Sequence, residues 1–252
     1  MKISILMAYH KRPIHIKNTL ESYKIHYDPQ NIEVVLIEDT PNDKGTEVLS
    51  VLEQSGIPFV YRSVDRSDRQ YKNPGVLYNL AAEVASNDVL HLTNPENLHV
   101  GPILNHCQDY IKNDNYIVYG CRTLSTCLDS ARSTIDGIDQ LTNWGEASGW
   151  YQHSKIYNRL LHFASVIHKD LYFKIEGFDP AYDYGVGYED NDFIQKLFVS
   201  GTSILAFDDP YAAHQAHDRA HWMINDMKGI EINSGVYLQK WGRSPMENYP
   251  GF

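Results

Sequence analysis

Apolar runs alternate with segments of helical character through the first 92 residues, and this alternation limits the possible folds more than any other feature of the chain. The strand-like runs are residues 3–8, 32–37, 59–61 and 89–92, and the helical segments between them are residues 13–27, 45–55 and 74–85. Such a repeat is typical of a parallel sheet with helices on both faces. The sequence therefore predicts an α/β fold with a mostly parallel central sheet flanked by helices.

No linker, internal repeat or low-complexity segment divides the 252 residues, so we predict a single domain over residues 1–252. The net charge of −10 argues against a non-specific grip on nucleic acid or on an anionic membrane. Cys107, Cys121 and Cys127 lack CxxC spacing and are typical of reduced thiols. No apolar run has membrane-spanning length, and the apolar start is too short for a signal peptide. We therefore expect a cytoplasmic protein without a transmembrane segment.

Polar residues follow the predicted strands at the points where the strands end. Ala8–His10 follow the first strand, Glu38–Asp39 the second, and Thr93–Asn97 the fourth. In open α/β sheets, ligands bind beyond the carboxyl ends of the strands. Ala8, Tyr9 and Asp39 are therefore predicted to bind a ligand.

The densest cluster of acids lies in Gly185–Phe193, where Glu189, Asp190 and Asp192 follow two glycines and precede an apolar run with helical spacing. The acids therefore belong to the first turn of a helix, where free N–H groups and the helix dipole favour negative charge. A carboxylate fixed there can stay ionised and accept a proton from a bound hydroxyl. Simple N-capping is the alternative, although one acid is enough for a cap.

Four segments within residues 3–217 carry a resemblance to a known class of enzymes. They are Ser4–Tyr9 with Val35–Asp39, Asn73–Ala82, Val89–Asn97, and Gly177–Asp179 with Gly187–Phe193. Together they resemble the GT-A glycosyltransferases, most closely the inverting family 2 and its β-galactosyltransferase-like relatives. The resemblance implies a Rossmann-like domain in which residues 1–100 bind a nucleotide sugar and residues 101–252 bind the acceptor and carry the catalytic residues.

The resemblance also implies roles for individual residues. The donor would be a nucleoside-diphosphate sugar, UDP-linked, held at the ends of the opening strands and faced by Asn73 and Asn79. Asp190 would act as the general base on the acceptor hydroxyl in an inverting transfer. Glu189 and Asp192 would hold acceptor hydroxyls or orient the loop.

The metal-binding Asp-x-Asp of this class is absent, and the equivalent positions, Thr93–Asn97, contain one carboxylate, Glu96. His214 lies about where the class places a metal-binding histidine, and His217 could share that role or replace it. The resemblance thus implies Mn²⁺ or Mg²⁺ at Glu96 and His214 or His217, where it would neutralise the leaving diphosphate. The alternative is that Glu96 belongs to a strand-ending turn in a metal-independent enzyme.

Two further regions each allow two interpretations. Residues 122–160 are predicted to form a long loop over the ligand. Within it, the aromatic residues of Gly149–Ser154 have two interpretations: they stack on the face of a sugar or base, or Trp150 is buried against the core. Arg66, Arg69 and Lys72 either meet the diphosphate or form a solvated loop. Later strands are predicted at 162–167 and 203–207, with a partly helical tail at 219–241.

The leading prediction is an inverting glycosyltransferase whose acceptor is a glycan, a lipid-linked sugar or a small molecule. Transfer to a modified base in DNA is an alternative that the acidic charge disfavours. A nucleotidyltransferase would have a glycine-rich loop after the first strand, which Ala8–Arg12 lack. A catalytically inactive sugar- or nucleotide-binding domain is the third possibility: the missing Asp-x-Asp favours it, and the intact Glu189-Asp190 pair argues against it.

Overall fold

The computed structural model describes residues 2–40, 46–124, 130–138, 149–217 and 227–245. The strands in these ranges are β1 Ile3–Tyr9, β2 Ile32–Asp39, β3 Phe59–Val64, β4 Val89–Thr93, β5 Asn97–Val100, β6 Asn115–Thr123, β7 Trp150–Gln152, β8 Ala164–His168 and β9 Ser203–His214. The helices are α1 Pro13–His26, α2 Thr46–Ser55, α3 Gly75–Val84, α4 Ile103–Gln108, α5 Ala131–Asp136, α6 Lys169–Lys174, α7 Glu189–Val199 and α8 Met227–Trp241.

The strands form one mixed sheet in the order β3-β2-β1-β4-β8-β6-β9-β5, with β7 beside β6. The pairs along β3-β2-β1-β4 are parallel, as is β6 with β9. β8 is antiparallel to both β4 and β6, and β5 is antiparallel to β9. The predicted α/β sheet is confirmed, and its parallel character is strongest in the half built from the first four strands.

Helices cover both faces of the sheet, which explains the unbroken apolar runs in the central strands. Ile5 and Met7 of β1 belong to a buried cluster that includes Ile16 of α1. Leu6, between them in sequence, belongs to a second cluster that includes Leu77 of α3. Because side chains alternate along a strand, a strand buried on both faces must be apolar at successive positions.

The regions with weak periodicity contain helices and strands that were not predicted from the sequence. β6 extends to Thr123, and α5 and β7 fall inside the predicted loop at 122–160, of which residues 125–129 and 139–148 lie outside the described ranges. β5 begins directly after Glu96. The predicted helical tail is confirmed in α8, the part of it that is described. Among the described helices, none has both the length and the apolar composition to cross a bilayer.

Candidate active site

A cavity of about 530 Å³ opens at the carboxyl ends of β1, β2 and β4. Predicted site residues in its lining are Ala8, Tyr9, Asp39, Asn73, Glu96, Glu189, Asp190, His214 and His217. The lining also includes Arg12 and Phe163, which were not predicted, and Lys72 and Tyr151, which belong to the two regions left with two interpretations. The sheet therefore brings together residues that are more than 200 positions apart in sequence. Asn79 and Asp192 are absent from the lining.

Asp39, at the end of β2, is fixed by a buried arginine. Arg66 donates from Nε to Oδ1 of Asp39 at 3.2 Å and from Nη2 to Oδ2 at 2.5 Å. Its Nη1 donates to the Asn73 carbonyl at 2.8 Å and to Asp183 at 2.6 Å. Arg66 thus links β2, the start of α3 and the turn before the acids. Because the Arg66 guanidinium is committed to these partners and Arg69 is absent from the lining, Lys72 is the best placed of Arg66, Arg69 and Lys72 to meet a ligand.

The two asparagines of the α3 region have different roles. Asn73 donates from Nδ2 to Oε2 of Glu189 at 2.6 Å, and its Oδ1 accepts the Gly75 N–H at 3.0 Å. Asn79 donates to the Phe178 carbonyl at 2.7 Å, and its Oδ1 accepts from the Phe178 N–H and the Tyr172 hydroxyl. The structure therefore corrects the expectation for Asn79: its amide holds the turn at Phe178 and does not face the cavity.

The turn that precedes the acids has a strained backbone that α8 holds in place. Gly187 and Tyr188 both have left-handed conformations, with φ of 69° and 68°. This conformation is unfavourable for a bulky residue such as tyrosine and persists only where surrounding contacts fix it. Asn233 of α8 donates from Nδ2 to the Gly187 carbonyl at 2.7 Å. The Val186 N–H donates to the Gly229 carbonyl at 2.9 Å.

Asp190 has a histidine partner that the sequence analysis did not identify. Oδ1 of Asp190 accepts the backbone N–H of His162 at 3.1 Å and also contacts the imidazole Nδ1 of His162. The His162 side chain is 3% exposed and that of Asp190 is 24% exposed, so the carboxylate still reaches the cavity. The one signal in the sequence was a histidine at the start of the strand-like segment 162–167.

The environment separates the pKa values of the two adjacent carboxyls. Burial alone would raise the pKa of Asp190, but the charge and hydrogen bonds of His162 lower it overall. Burial and the charge of Asp190 raise the pKa of Glu189 to about 7. Burial opposes protonation of His162, yet Asp190 raises its pKa overall. Two neighbouring acids with opposite shifts are suited to different roles, and Asp190 is the one kept ionised at neutral pH.

Asp192 faces away from the cavity and is fully buried. Its Oδ1 accepts from Nε1 of Trp241 at 2.8 Å and lies 2.8 Å from Nζ of Lys240. The hydroxyl of Tyr182 donates to the same oxygen at 3.3 Å. The structure thus corrects the expectation that Asp192 holds an acceptor hydroxyl. Of the two predicted roles, its contacts fit the orientation of the loop, since they fasten α7 to α8.

Glu96, His214 and His217 form a cluster in which one ligand atom of each lies within 4.8 Å of the others. Asn97 lies opposite His214 in the β5–β9 pair, and Nε2 of His214 is 3.4 Å from Oε1 of Glu96. Nε2 of His217 is 3.3 Å from the same oxygen. The other carboxylate oxygen, Oε2, is buried and has no hydrogen-bond partner among the described residues. A carboxylate with a free buried oxygen beside two imidazoles fits a divalent cation such as Mn²⁺.

Arg12, directly before α1, also binds Glu96. Its Nη1 lies 2.5 Å from Oε1, and the exposed fractions of the two side chains are 27% and 2%. Burial would raise the pKa of Glu96, but His214, His217 and Arg12 hold it well below its usual value. Glu96 is therefore an ionised carboxylate at the floor of the cavity.

The two adjacent aromatic rings of the segment Gly149–Ser154 lie in different surroundings. Tyr151 lines the cavity, with its ring centroid 4.8 Å from that of His214. Trp150 packs against Tyr211 at 5.4 Å and beneath Arg122 at 5.1 Å, away from the cavity. Alternation along β7 explains the difference between these two neighbours.

Comparisons with known proteins bear on the fold. No protein-family model matches the chain, and no curated protein sequence matches it. Solved structures do match. The chain is similar to S. aureus TarS 1–349 in complex with UDP-GlcNAc, at 13% identity and a TM-score of 0.69, over 98% of this chain and 68% of that one. It is also similar to the mannosyltransferase PcManGT from Pyrobaculum calidifontis, in complex with GDP-Man and Mn²⁺, at 15% identity and a TM-score of 0.60, over 97% and 66%.

Two further structures are covered over less of their length: 60% of a second structure of S. aureus TarS 1–349 and 37% of a structure of S. aureus TarS. This protein therefore spans only part of the length of the structures it resembles. At these identities the similarity defines the fold. The chain has the GT-A glycosyltransferase fold, as the motifs in its sequence predicted.

Proposed function

We propose that this protein is a glycosyltransferase that moves a sugar from a nucleoside-diphosphate sugar to an acceptor hydroxyl. The observation that supports it best is the meeting of an ionised Asp190 and the Glu96–His214–His217 cluster in one cavity of a GT-A fold. The two structures named above hold UDP-GlcNAc and GDP-Man in the same fold. Residues 1–100 would form the donor half and residues 101–252 the acceptor and catalytic half.

The donor, UDP-linked in this proposal, would contact Ala8, Tyr9, Asp39 and Asn73 at the strand ends. Each of them lines the cavity, in agreement with the rule that ligands bind beyond the carboxyl ends of parallel strands. The sugar would then lie toward Asp190, which lines the same cavity.

Glu96, His214 and His217 would hold Mn²⁺ or Mg²⁺. When bound, such an ion neutralises charge on the leaving diphosphate. The cluster itself contributes an ionised carboxylate and two imidazoles to the cavity, at the end that the diphosphate would occupy.

Asp190 would accept the proton of the acceptor hydroxyl as that oxygen attacks the sugar from the face opposite the diphosphate, which inverts the anomeric configuration. His162 keeps the carboxylate charged and fixes its orientation through two contacts. Glu189, held by Asn73, lines the cavity beside it and would hydrogen-bond an acceptor hydroxyl.

The acceptor would be a glycan, a lipid-linked sugar or a small molecule. The net charge of −10 weighs against a DNA acceptor. An inactive binding domain would have no need for a histidine that keeps Asp190 ionised. A cytoplasmic location stays a prediction from the cysteine pattern.

A donor screen tests this proposal. Purified protein is incubated with UDP- and GDP-sugars and a panel of hydroxyl acceptors, and released nucleoside diphosphate is measured with Mn²⁺, with Mg²⁺ and with a chelator. We expect release from one donor class, stimulated by the cation and lost in Asp190→Asn. Nucleotide binding without release from any donor would instead support an inactive domain. Release of a sugar 1-phosphate in place of the nucleoside diphosphate would indicate transfer of the nucleotide, as in a nucleotidyltransferase.

A further inference from the structure

Three cationic or cation-capable side chains converge on one oxygen of Glu96. Arg12, His214 and His217 all approach Oε1, at 2.5, 3.4 and 3.3 Å, while Oε2 has no partner among the described residues. The Arg12 guanidinium therefore lies against the carboxylate oxygen that faces both imidazoles, so a divalent cation held by Glu96, His214 and His217 would lie beside it. Two positive charges at one buried oxygen would repel each other strongly, because little water screens them.

The contacts of Arg12 fix its backbone but leave its guanidinium able to change partner. Its N–H donates to the Tyr9 hydroxyl at 3.1 Å, which fixes the chain at the end of β1. Its guanidinium is partly exposed, lines the cavity and has Glu96 as its sole hydrogen-bond partner in the described part of the chain. A guanidinium has five N–H donors, and a phosphate group can accept two of them side by side.

We propose that Arg12 is a diphosphate-binding residue that competes with the divalent cation for Glu96. In the donor-free protein it neutralises Glu96. When a cation takes that carboxylate, the guanidinium turns into the cavity and binds the diphosphate of the donor. This inference rests on the proposed function, since it assigns Arg12 to the same donor site.

Cation binding to the donor-free protein separates this proposal from general electrostatics. Mn²⁺ is titrated into wild type and Arg12→Gln, and free Mn²⁺ is followed by its electron paramagnetic resonance signal. Lys11→Gln is the matched control: it removes one positive charge at the adjacent, exposed position. We expect Arg12→Gln to bind Mn²⁺ about tenfold more tightly, the scale of one charge-assisted hydrogen bond released from Glu96. Lys11→Gln should match wild type, and Glu96→Gln should abolish specific binding.

UDP is then titrated into each Mn²⁺-saturated protein by calorimetry. We expect Arg12→Gln to bind UDP about tenfold more weakly, for the loss of one charge-assisted contact. Arg12→Lys, which keeps the charge but not the paired donors, should weaken UDP binding while leaving Mn²⁺ affinity near that of wild type. It serves as a second variant if Arg12→Gln does not fold, as judged by circular dichroism.

Unchanged or weaker Mn²⁺ binding by Arg12→Gln would overturn the competition, and unchanged UDP affinity would overturn the diphosphate role. Absence of Mn²⁺ binding to wild type and Arg12→Gln alike would overturn the proposal as a whole. Nucleotide-sugar turnover in the presence of chelator would also overturn the Arg12 proposal, but it would leave the glycosyltransferase assignment intact. The failure of one proposal is therefore distinguishable from the failure of the other.

Discussion

Replacing His162 with phenylalanine should move the acid limb of the pH–rate profile to higher pH. The ring of His162 packs against Tyr78 and Phe178, at centroid distances of 4.8 and 5.0 Å, so a phenyl ring retains the packing. It removes both ring nitrogens, of which Nδ1 contacts Asp190 and Nε2 has no partner among the described residues. The base works as a carboxylate, so activity is lost as pH falls through the pKa of Asp190. His162 holds that pKa down. Without it, burial pushes the pKa up.

The magnitude follows from the contact between the two side chains. An opposite charge this close lowers a carboxyl pKa by about 1–3 units, so the acid limb should rise by about that much. Each unit costs about tenfold in rate at a pH below the new pKa. Tyr78 and Tyr116, which also lie near Asp190, add no charge, because burial raises their pKa values.

The assay is the pH dependence of kcat/KM from about pH 4.5 to 9, a range that spans ordinary carboxyl and imidazole pKa values. Nucleotide release is measured with the donor and acceptor found in the screen. His162→Asn is the control, because its side-chain N–H can still donate to the Asp190 carboxylate, and its profile should fall between the other two. If folded His162→Phe has the acid limb of wild type, the reasoning about Asp190 is refuted.

Three more predictions concern the turn and its neighbours. Asp190→Asn should lower turnover by about a hundredfold or more, the scale of a positioned base, while UDP affinity measured by calorimetry stays the same. Gly185→Ala would place a Cβ 2.4 Å from Oδ1 of Asn233, so it should lower the free energy of unfolding, measured in urea, by about 1–3 kcal/mol. Gly235→Ala is the control: its Cβ would meet open space on α8, so it should raise the free energy of unfolding by about 0.5–1 kcal/mol. Asp192→Ala should lower unfolding stability by about 2 kcal/mol through its lost buried hydrogen bonds. It should leave UDP affinity unchanged, because Asp192 contacts α8 and Tyr182 and is absent from the cavity lining. A marked loss of UDP binding by Asp192→Ala would contradict the structural role.

The donor side of the cavity could be predicted from local patterns. β1, β2 and β4 are buried along nearly their whole length, so their apolar runs identify them. In β-α repeats, parallel strands end at the same edge of the sheet, and Tyr9 lies in register with Glu38 of β2. The positions of Ala8, Tyr9 and Asp39 therefore follow from the sequence pattern alone.

Side-chain directions around the acids could not be predicted, because they depend on distant parts of the chain. Asp192 turns inward to meet partners 48 and 49 residues further along. Asn79 bonds to Phe178, 99 residues away. Local sequence predicted the helix on which each residue lies. It does not show which other element packs against each face of that helix.

His162 was missed for a related reason. A histidine at the start of an apolar run predicts a strand, and β8 does begin at Ala164. Its pairing with Asp190 arises only when β8 and α7 pack together. Glu96 and the two histidines were found because the resemblance supplied their expected places, whereas spacing alone offers no link between residue 96 and residue 214.

The pairing of β5 with β9 has a consequence for how such a chain can diverge. Asn97 opposite His214 and Val100 opposite Tyr211 fix the alignment that brings His214 to Glu96. Side chains alternate along a strand, so the insertion of one residue before His214 within β9 would turn that imidazole to the other face while barely altering composition. In descendants of this sequence, the length of these two strands should therefore be under tighter selection than the identity of most residues in them. In a homologue with one more residue at this point, we expect a different side chain to take the place of His214 beside the carboxylate.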